Sequence, residues 1–318
     1  ITTTTTLDLE GTSRVVGAVE IGDAAGTSSF IITGGAGSLI FEREGGASFT
    51  MSQGGNAIIS AGITLNSDVT LRNELSGYNL TVSGKITGSG GVIQEGDGRV
   101  YLSNNNNDYT GGYTLTSGTL AFGNGAVLGS GALTLRGGVL ENTATNVRTI
   151  TNAVAMSGTV TKTGTAALTF SDAVTLEGDV VINTVERLDI LGDFVGSYSV
   201  TKRGEGMLNL RSASRSYAGT FILDGGVVQA TNANSFGSGT LRLLSGAWVG
   251  GESGVVTFNN AVEIGGTFSI GSTAMPEQER GITLTGDTTL IADSTLDVVA
   301  AGGAHLQGEI SGNHGLAK

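Results

Sequence analysis

Gly96–Leu140 reads GDGRVYLSNNNNDYTGGYTLTSGTLAFGNGAVLGSGALTLRGGVL, and this stretch decides the fold. Short apolar clusters on alternating positions, as at Leu115, Leu120 and Phe122, are punctuated by Gly-Gly, Asn and Ser-Gly. A period of two broken by turn residues specifies strand, turn, strand, turn, with no 3.6-residue period in competition. The same text returns 108 positions later without insertion or deletion, as GEGMLNLRSASRSYAGTFILDGGVVQATNANSFGSGTLRLLSGAW over Gly204–Trp248. Tyr109 maps onto Tyr217, Gly111 onto Gly219, Leu115 onto Leu223, Gly118 onto Gly226, Leu120 onto Val228, Asn124 onto Asn232 and Gly131 onto Gly239. The chain is built from copies.

Weaker markers carry the repeat outward. Ala18–Val19–Glu20–Ile21 returns as Ala261–Val262–Glu263–Ile264, and more loosely as Ala153–Val154–Ala155–Met156. Each is followed by an Asp-terminated marker ending at Asp68, Asp179 or Asp287. Glu20 to Asp68 spans 48 positions and Glu263 to Asp287 spans 24, so the first copy carries 24 extra residues, about one coil of a solenoid. The glycine-flanked markers at Gly84, Gly192 and Gly308 lie 108 and 116 positions apart, the difference being an insertion within Val299–Gly308. These markers predict one repeat domain over 1–318, with a partial unit 1–83, full units 84–191 and 192–307, and a partial unit 308–318. The chain reads as a segment of something longer.

Composition agrees. Glycine contributes 54 of 318 residues, more than twice the ~7% of average proteins. Hydrophobic residues make 39% of the chain, enough for a continuous core, and charged residues only 14%, so Ser, Thr, Asn and Gly must keep the outside wet. A net charge of −12 without a basic cluster argues against nucleic acid as a partner, because phosphate binding needs Lys and Arg. There is no cysteine, which removes disulfides, thiolate metal sites and Cys nucleophiles, and no 18-residue apolar run.

Many short strands in tandem fit a β-propeller or a β-helix. Propeller blades repeat at ~40–50 residues with Trp-Asp or kelch-type signatures; one Trp and a single-coil difference between copies favour the solenoid. The expected fold is therefore all-β, a parallel β-helix forming an elongated rod. At about 20–24 residues per coil and ~4.8 Å between stacked strands, 13–16 coils would span about 60–80 Å. Gly and Asn are expected at left-handed corners.

The strings YTGGYTLTSGTLAFGNGAVLGSGALTL and YAGTFILDGGVVQATNANSFGSGTLRL resemble the autotransporter-associated β-strand repeat, also called the passenger-associated transport repeat. Its form, N-x-Y-x-G-G-T followed by G-T-L, falls on Tyr109, Gly111, Gly112, Gly118 and Leu120, and again on Tyr217, Gly219, Gly226 and Val228. Thr220 departs from the second glycine, Val228 from the leucine and Arg215 from the asparagine. The resemblance implies a right-handed β-helical passenger of a type V secretion system, at or released from the surface of a Gram-negative cell. It implies an outer-membrane β-barrel translocator outside this chain, and repeats that assist secretion. The implied role is adhesion to host or neighbouring-cell surfaces, self-association or surface display.

The alternative is a β-helical carbohydrate-active enzyme or a saccharide-binding, tailspike-like protein, which would need outward carboxylate pairs. Glu42 with Glu44, Glu177 with Asp179, and Glu186 with Asp189 are the candidates. Asp179 recurs as Asp68 and Asp287 and reads more simply as a turn residue. His305 and His314 are the two histidines, His305 in the inserted loop, and no Gly-Asp-Ser-Gly nucleophile turn occurs. No catalytic, cofactor or metal residues are expected. Asn104–Asn107 with Asp108 reads as a polar loop, with sugar binding or an internal Asn ladder as the other readings. Met275–Arg280, containing Pro276, Glu277, Glu279 and Arg280, reads as a projecting interaction loop. Trp248 reads as core.

Overall fold

The computed structural model describes residues 4–23, 25–212, 216–250, 255–271 and 281–318. Strands make up about 54% of the chain in a parallel β-solenoid of about 14 turns. Among the described residues the helical element is a single 3-10 turn, Gly125–Leu128. The chain forms two compact units, 1–155 with 164–166, and 156–163 with 167–318.

In the first unit successive coils stack in parallel register. Phe49 lies beside Leu71, Leu71 beside Gln94, Gln94 beside Leu115 and Leu115 beside Leu135. Leu80, Val100, Leu120 and Leu140 form a second inward line at a step of 20 residues. All but Gln94 are apolar, and all are buried. Alternation therefore does what the period of two requires, one side chain in and the next out. A third line of strands, Arg14–Val16, Ser38–Phe41, Gly62–Leu65 and Ile86–Gly88, closes the early coils. Beyond Ile86–Gly88 this face is carried by the Asn-rich segment, where Asp108 and Thr110 N–H groups donate to Ile86 and Gly88 carbonyls. The 3-10 turn follows, and Arg148–Ile150 resumes the strand. The extra coil of the first copy is present, as the strand Ala47–Met51 between Ala18–Ile21 and Val69–Asn73.

The second unit repeats the plan with longer strands. Val200, Phe221, Leu241 and Val262 form one line, and Leu208, Val228, Trp248 and Ile270 another. Phe221–Ala230 runs through the corner as one strand, with register shifts between Leu223 and Val227. Val256–Phe258, Ile282–Leu284 and Ala304–Leu306 form the third face. His305 is thus exposed on a strand beside Thr283, not in a loop, because the insertion supplies another coil edge. The expected left-handed asparagine corners are absent among the described residues: Glu10 is the one non-glycine residue with positive φ. Glycine makes the corners, and asparagine works through its side chain.

Candidate functional site

The recurring apparatus is a polar group plugged into an apolar stack, with a glycine corner folded over it. In the first copy it is Gln94, on Val92–Glu95; in the second it is Lys202, on Val200–Arg203, 108 positions on. Both are fully buried. A buried polar atom without a partner costs about 1–3 kcal/mol; copy two satisfies its plug fully, whereas copy one satisfies Gln94 Oε1 and leaves its Nε2 buried without a hydrogen-bond partner. The Tyr113 hydroxyl donates to Gln94 Oε1 at 2.6 Å. Phe221 stands in the place of Tyr113. Lys202 instead donates to the carbonyl oxygens of Arg203, Gly204 and Gly225 at 2.7, 2.8 and 3.1 Å, using all three ammonium protons. Burial pushes the Lys202 ammonium down to about 8 and lifts the Tyr113 phenol well above its ordinary value.

Gly118 and Gly226 close the corner, at φ of 74° and 64°. A Cβ on Gly118 would overlap the carbonyl oxygens of Gly96 and Gly98. On Gly226 it would overlap those of Gly204 and Gly206 and also Lys202 Nζ. Glycine is needed for both conformation and space. Gly111 and Gly219 are spatial requirements: their Cβ positions fall on the backbone of the preceding coil, at Gly90–Gly91 and Tyr198. Gly112 has φ of 85°, whereas Thr220 in its place keeps an ordinary φ. This is how the second copy loses one glycine of the pair. Leu120 and Val228 are buried in their inward lines.

Tyr109 and Tyr217 are fully buried, their hydroxyls without a hydrogen-bond partner and their phenols held up by burial. Each carbonyl accepts the N–H of the following coil, from Ser130 and Ser238. Tyr217 packs on Phe194 with ring centroids 5.9 Å apart.

Two further elements escape a sequence reading. Asn152 donates its amide to Gly129 O at 3.1 Å and Gly131 O at 2.6 Å. Asn260, 108 positions on, donates to Gly237 O at 3.1 Å and Gly239 O at 2.7 Å. The tripeptide Asn-Ala-Val at 152–154 and 260–262 was the available signal. Gln94 and Lys202 were hidden because both residue types ordinarily signal exposure.

The remaining candidates serve the stack. Asp68, Asp179 and Asp287 each accept a backbone N–H one coil on, from Gly91, Ser199 and Glu309, at 2.7, 2.8 and 3.1 Å. Glu42 accepts from Asn66 at 2.8 Å, and Asp189 is buried in an ion pair with Arg187 at 2.7 Å. Glu44, Glu177 and Glu186 are exposed. In the asparagine run, Asn107 accepts from Ile86 N at 2.8 Å and donates to Val127 O at 2.7 Å, while Asn104 donates to Ser83 O at 2.9 Å. The run therefore ties neighbouring coils, while Asn105 and Asn106 stay exposed. His314 lies 3.6 Å from Asp293. Trp248 is fully buried against Phe236 and Phe258, at 5.1 and 4.7 Å between centroids. Pro276, Glu277, Glu279 and Arg280 lie outside the described residues.

The family model of the passenger-associated transport repeat matches residues 92–122 and 200–230. Each match opens on the strand that bears the buried plug and ends just past the glycine corner. The chain is also similar to the adhesin BmaC autotransporter of Brucella suis biovar 1 (strain 1330), at 30% identity over 243 residues. That alignment covers 71% of this chain and 6% of the relative. No solved structure matches. A parallel solenoid with two transport repeats, together with this relative, identifies the chain as part of an autotransporter passenger domain. Its place is the Gram-negative cell surface, in association with the outer membrane.

Proposed function

We propose that this chain is a non-enzymatic segment of a β-helical stalk in an adhesin-like passenger. Its role is to carry surfaces for attachment to host or neighbouring cells, for self-association or for surface display. The observation that carries the reading is the transport repeat built twice into the coil stack at matching registers. The similarity to a protein named an adhesin supports attachment as the task. An outer-membrane barrel is the translocation partner, and the two repeats assist secretion by making a coil that closes on itself.

Three of the six carboxylates considered for catalysis support this reading, since Asp179, Asp189 and Glu42 are each held by a structural partner. The test uses the intact parent protein displayed on bacteria, with residues 1–318 present or deleted. Deletion is expected to lower adherence to host cells or cell–cell clumping while the remaining passenger stays on the surface. Unchanged adherence and clumping at equal display would overturn the adhesive role. Saccharide turnover by the pure chain, abolished by Glu177→Gln or Asp179→Asn, would replace it with an enzyme.

A further inference from the structure

One cation in the first unit is left unsatisfied. Arg72, Arg99, Arg187, Arg203 and Arg242 each have a carboxylate partner. Arg14, Arg43, Arg136 and Arg211 are exposed to water. Arg148 has neither: it is half-buried, forms no ion pair, and its Nε is buried with no acceptor. A buried guanidinium N–H without an acceptor is costly unless a ligand, best an anion, completes it.

Arg148 lines a concavity of about 230 Å³ with Tyr101, Ser103, Asn105, Gly123 and Asn124. The fold builds this place deliberately. Asn124 caps the 3-10 turn, its Oδ1 accepting from Ala126 N at 3.0 Å, which leaves its amide hydrogens free of that bond. Gly125 brings the turn onto the strand Arg148–Ile150, since a Cβ there would overlap Thr149 O. Gly123 keeps the floor open: its Cβ would lie 3.2 Å from Thr143 Oγ1 and 3.7 Å from the Tyr101 hydroxyl. The second copy dismantles the set, with Asn209, Thr231 and Val256 in place of Tyr101, Gly123 and Arg148. These positions are therefore not demanded by the coil.

We propose that this concavity binds an acidic saccharide, with Arg148 receiving the anionic group and Tyr101, Ser103, Asn105 and Asn124 receiving hydroxyls. The volume lies below the ~300 Å³ of drug-sized pockets and suits one sugar ring. The neutral amide and hydroxyl lining matches a polyol beside the charge, and the net charge of −12 disfavours a densely anionic polymer.

The site is tested on the pure chain by calorimetry and saturation-transfer NMR, with glucuronate, glucose, glucose 6-sulfate and inorganic sulfate as probes. Saturable binding is expected for glucuronate or glucose 6-sulfate, whichever binds identifying a carboxylate or a sulfate ester. Glucose is expected to bind at least tenfold more weakly. Arg148→Gln and Gly123→Thr are each expected to weaken binding at least tenfold with unchanged thermal melting. Asn105→Ala, at an exposed position that cannot unfold the coil, is expected to weaken it several-fold. Equal binding of glucose, inorganic sulfate binding as tightly as the acidic sugars, indifference to both Arg148→Gln and Asn105→Ala, or no saturable binding would each overturn the proposal. The measurement is direct binding, so its failure leaves the stalk reading standing, and loss of cell attachment leaves this site untouched.

Discussion

The two transport repeats differ in how they fill one backbone plan. Copy one closes its interior with Gln94 and the Tyr113 hydroxyl, and its core positions hold Leu128, Leu140 and Ile150. Copy two holds Lys202 on three carbonyls and fills the same positions with Phe236, Trp248 and Phe258 around Phe221. The substitutions are coupled. Losing the tyrosine hydroxyl coincides with a side chain that finds its partners in the main chain. Replacing three aliphatic residues by aromatic ones keeps a packed interior through edge and tilted ring contacts. The lesson is that coil geometry constrains the glycines and the presence of a hydrogen-bonded polar plug, while the chemistry of the plug, and how fully it is satisfied, is free to vary.

The glycine corner should show the largest effect. Gly226→Ala forces a Cβ onto Lys202 Nζ and two carbonyls at positive φ, and is expected to cost about 4 kcal/mol or more by chemical unfolding. Gly118→Ala should cost less, because the Gln94 amide nitrogen stands 3.4 Å from that Cβ. Equal costs would break the asymmetry drawn between the copies. Next comes Trp248→Leu, which installs the first copy's residue in an aromatic cluster shaped for indole. A loss of about 3 kcal/mol is expected from the cavity left, and a neutral result would mean the cluster repacks.

The lysine plug of copy two predicts a pH signature that the glutamine plug of copy one lacks. Burial lowers the Lys202 ammonium from 10.5 to about 8. Below about 8 both folded and unfolded chains hold the proton, and above about 10.5 neither does. Between those limits only the unfolded chain holds it, so stability rises as pH climbs through the window, by up to roughly 3 kcal/mol. Lys162, also lowered by burial, acts with the same sign, and the buried tyrosines oppose it once pH passes about 10. Lys202→Met should remove the larger part of the rise, as read from denaturation midpoints at pH 7, 8, 9 and 10. The smallest effect sharpens the comparison most. Lys202→Gln should destabilise, and adding Phe221→Tyr should recover about 1 kcal/mol by restoring the hydroxyl–amide pair. Strict additivity in that cycle would show that the two positions are not partners.

Strands, copies and the extra coil were legible because they depend on period and on glycine, both written in the order of residues. Trp248 was legible because it replaces a leucine at an aligned position. Gln94 and Lys202 were not, since their burial is offset by partners that only the coil brings near, such as Gly225 O, 23 residues away. The Asn152 and Asn260 clamps were missed for the same reason, their acceptors lying 21 and 23 residues back. Asn107 read as loop because its work is done on Ile86 and Val127, a coil to either side. Arg148 has no sequence signal at all: its meaning comes from the turn that Asn124 and Gly125 lay over its strand.

The aspartates and asparagines bear on how such a stack gives way under load. Asp68, Asp179 and Asp287 grip the coil that follows, and Asn152 and Asn260 grip the coil before. Each of these groups fastens a different seam, so a pull on one end meets one fastener at a time. A unit drawn out this way would yield in a saw-tooth of force, each tooth releasing one coil of about 20 residues, roughly 70 Å of chain.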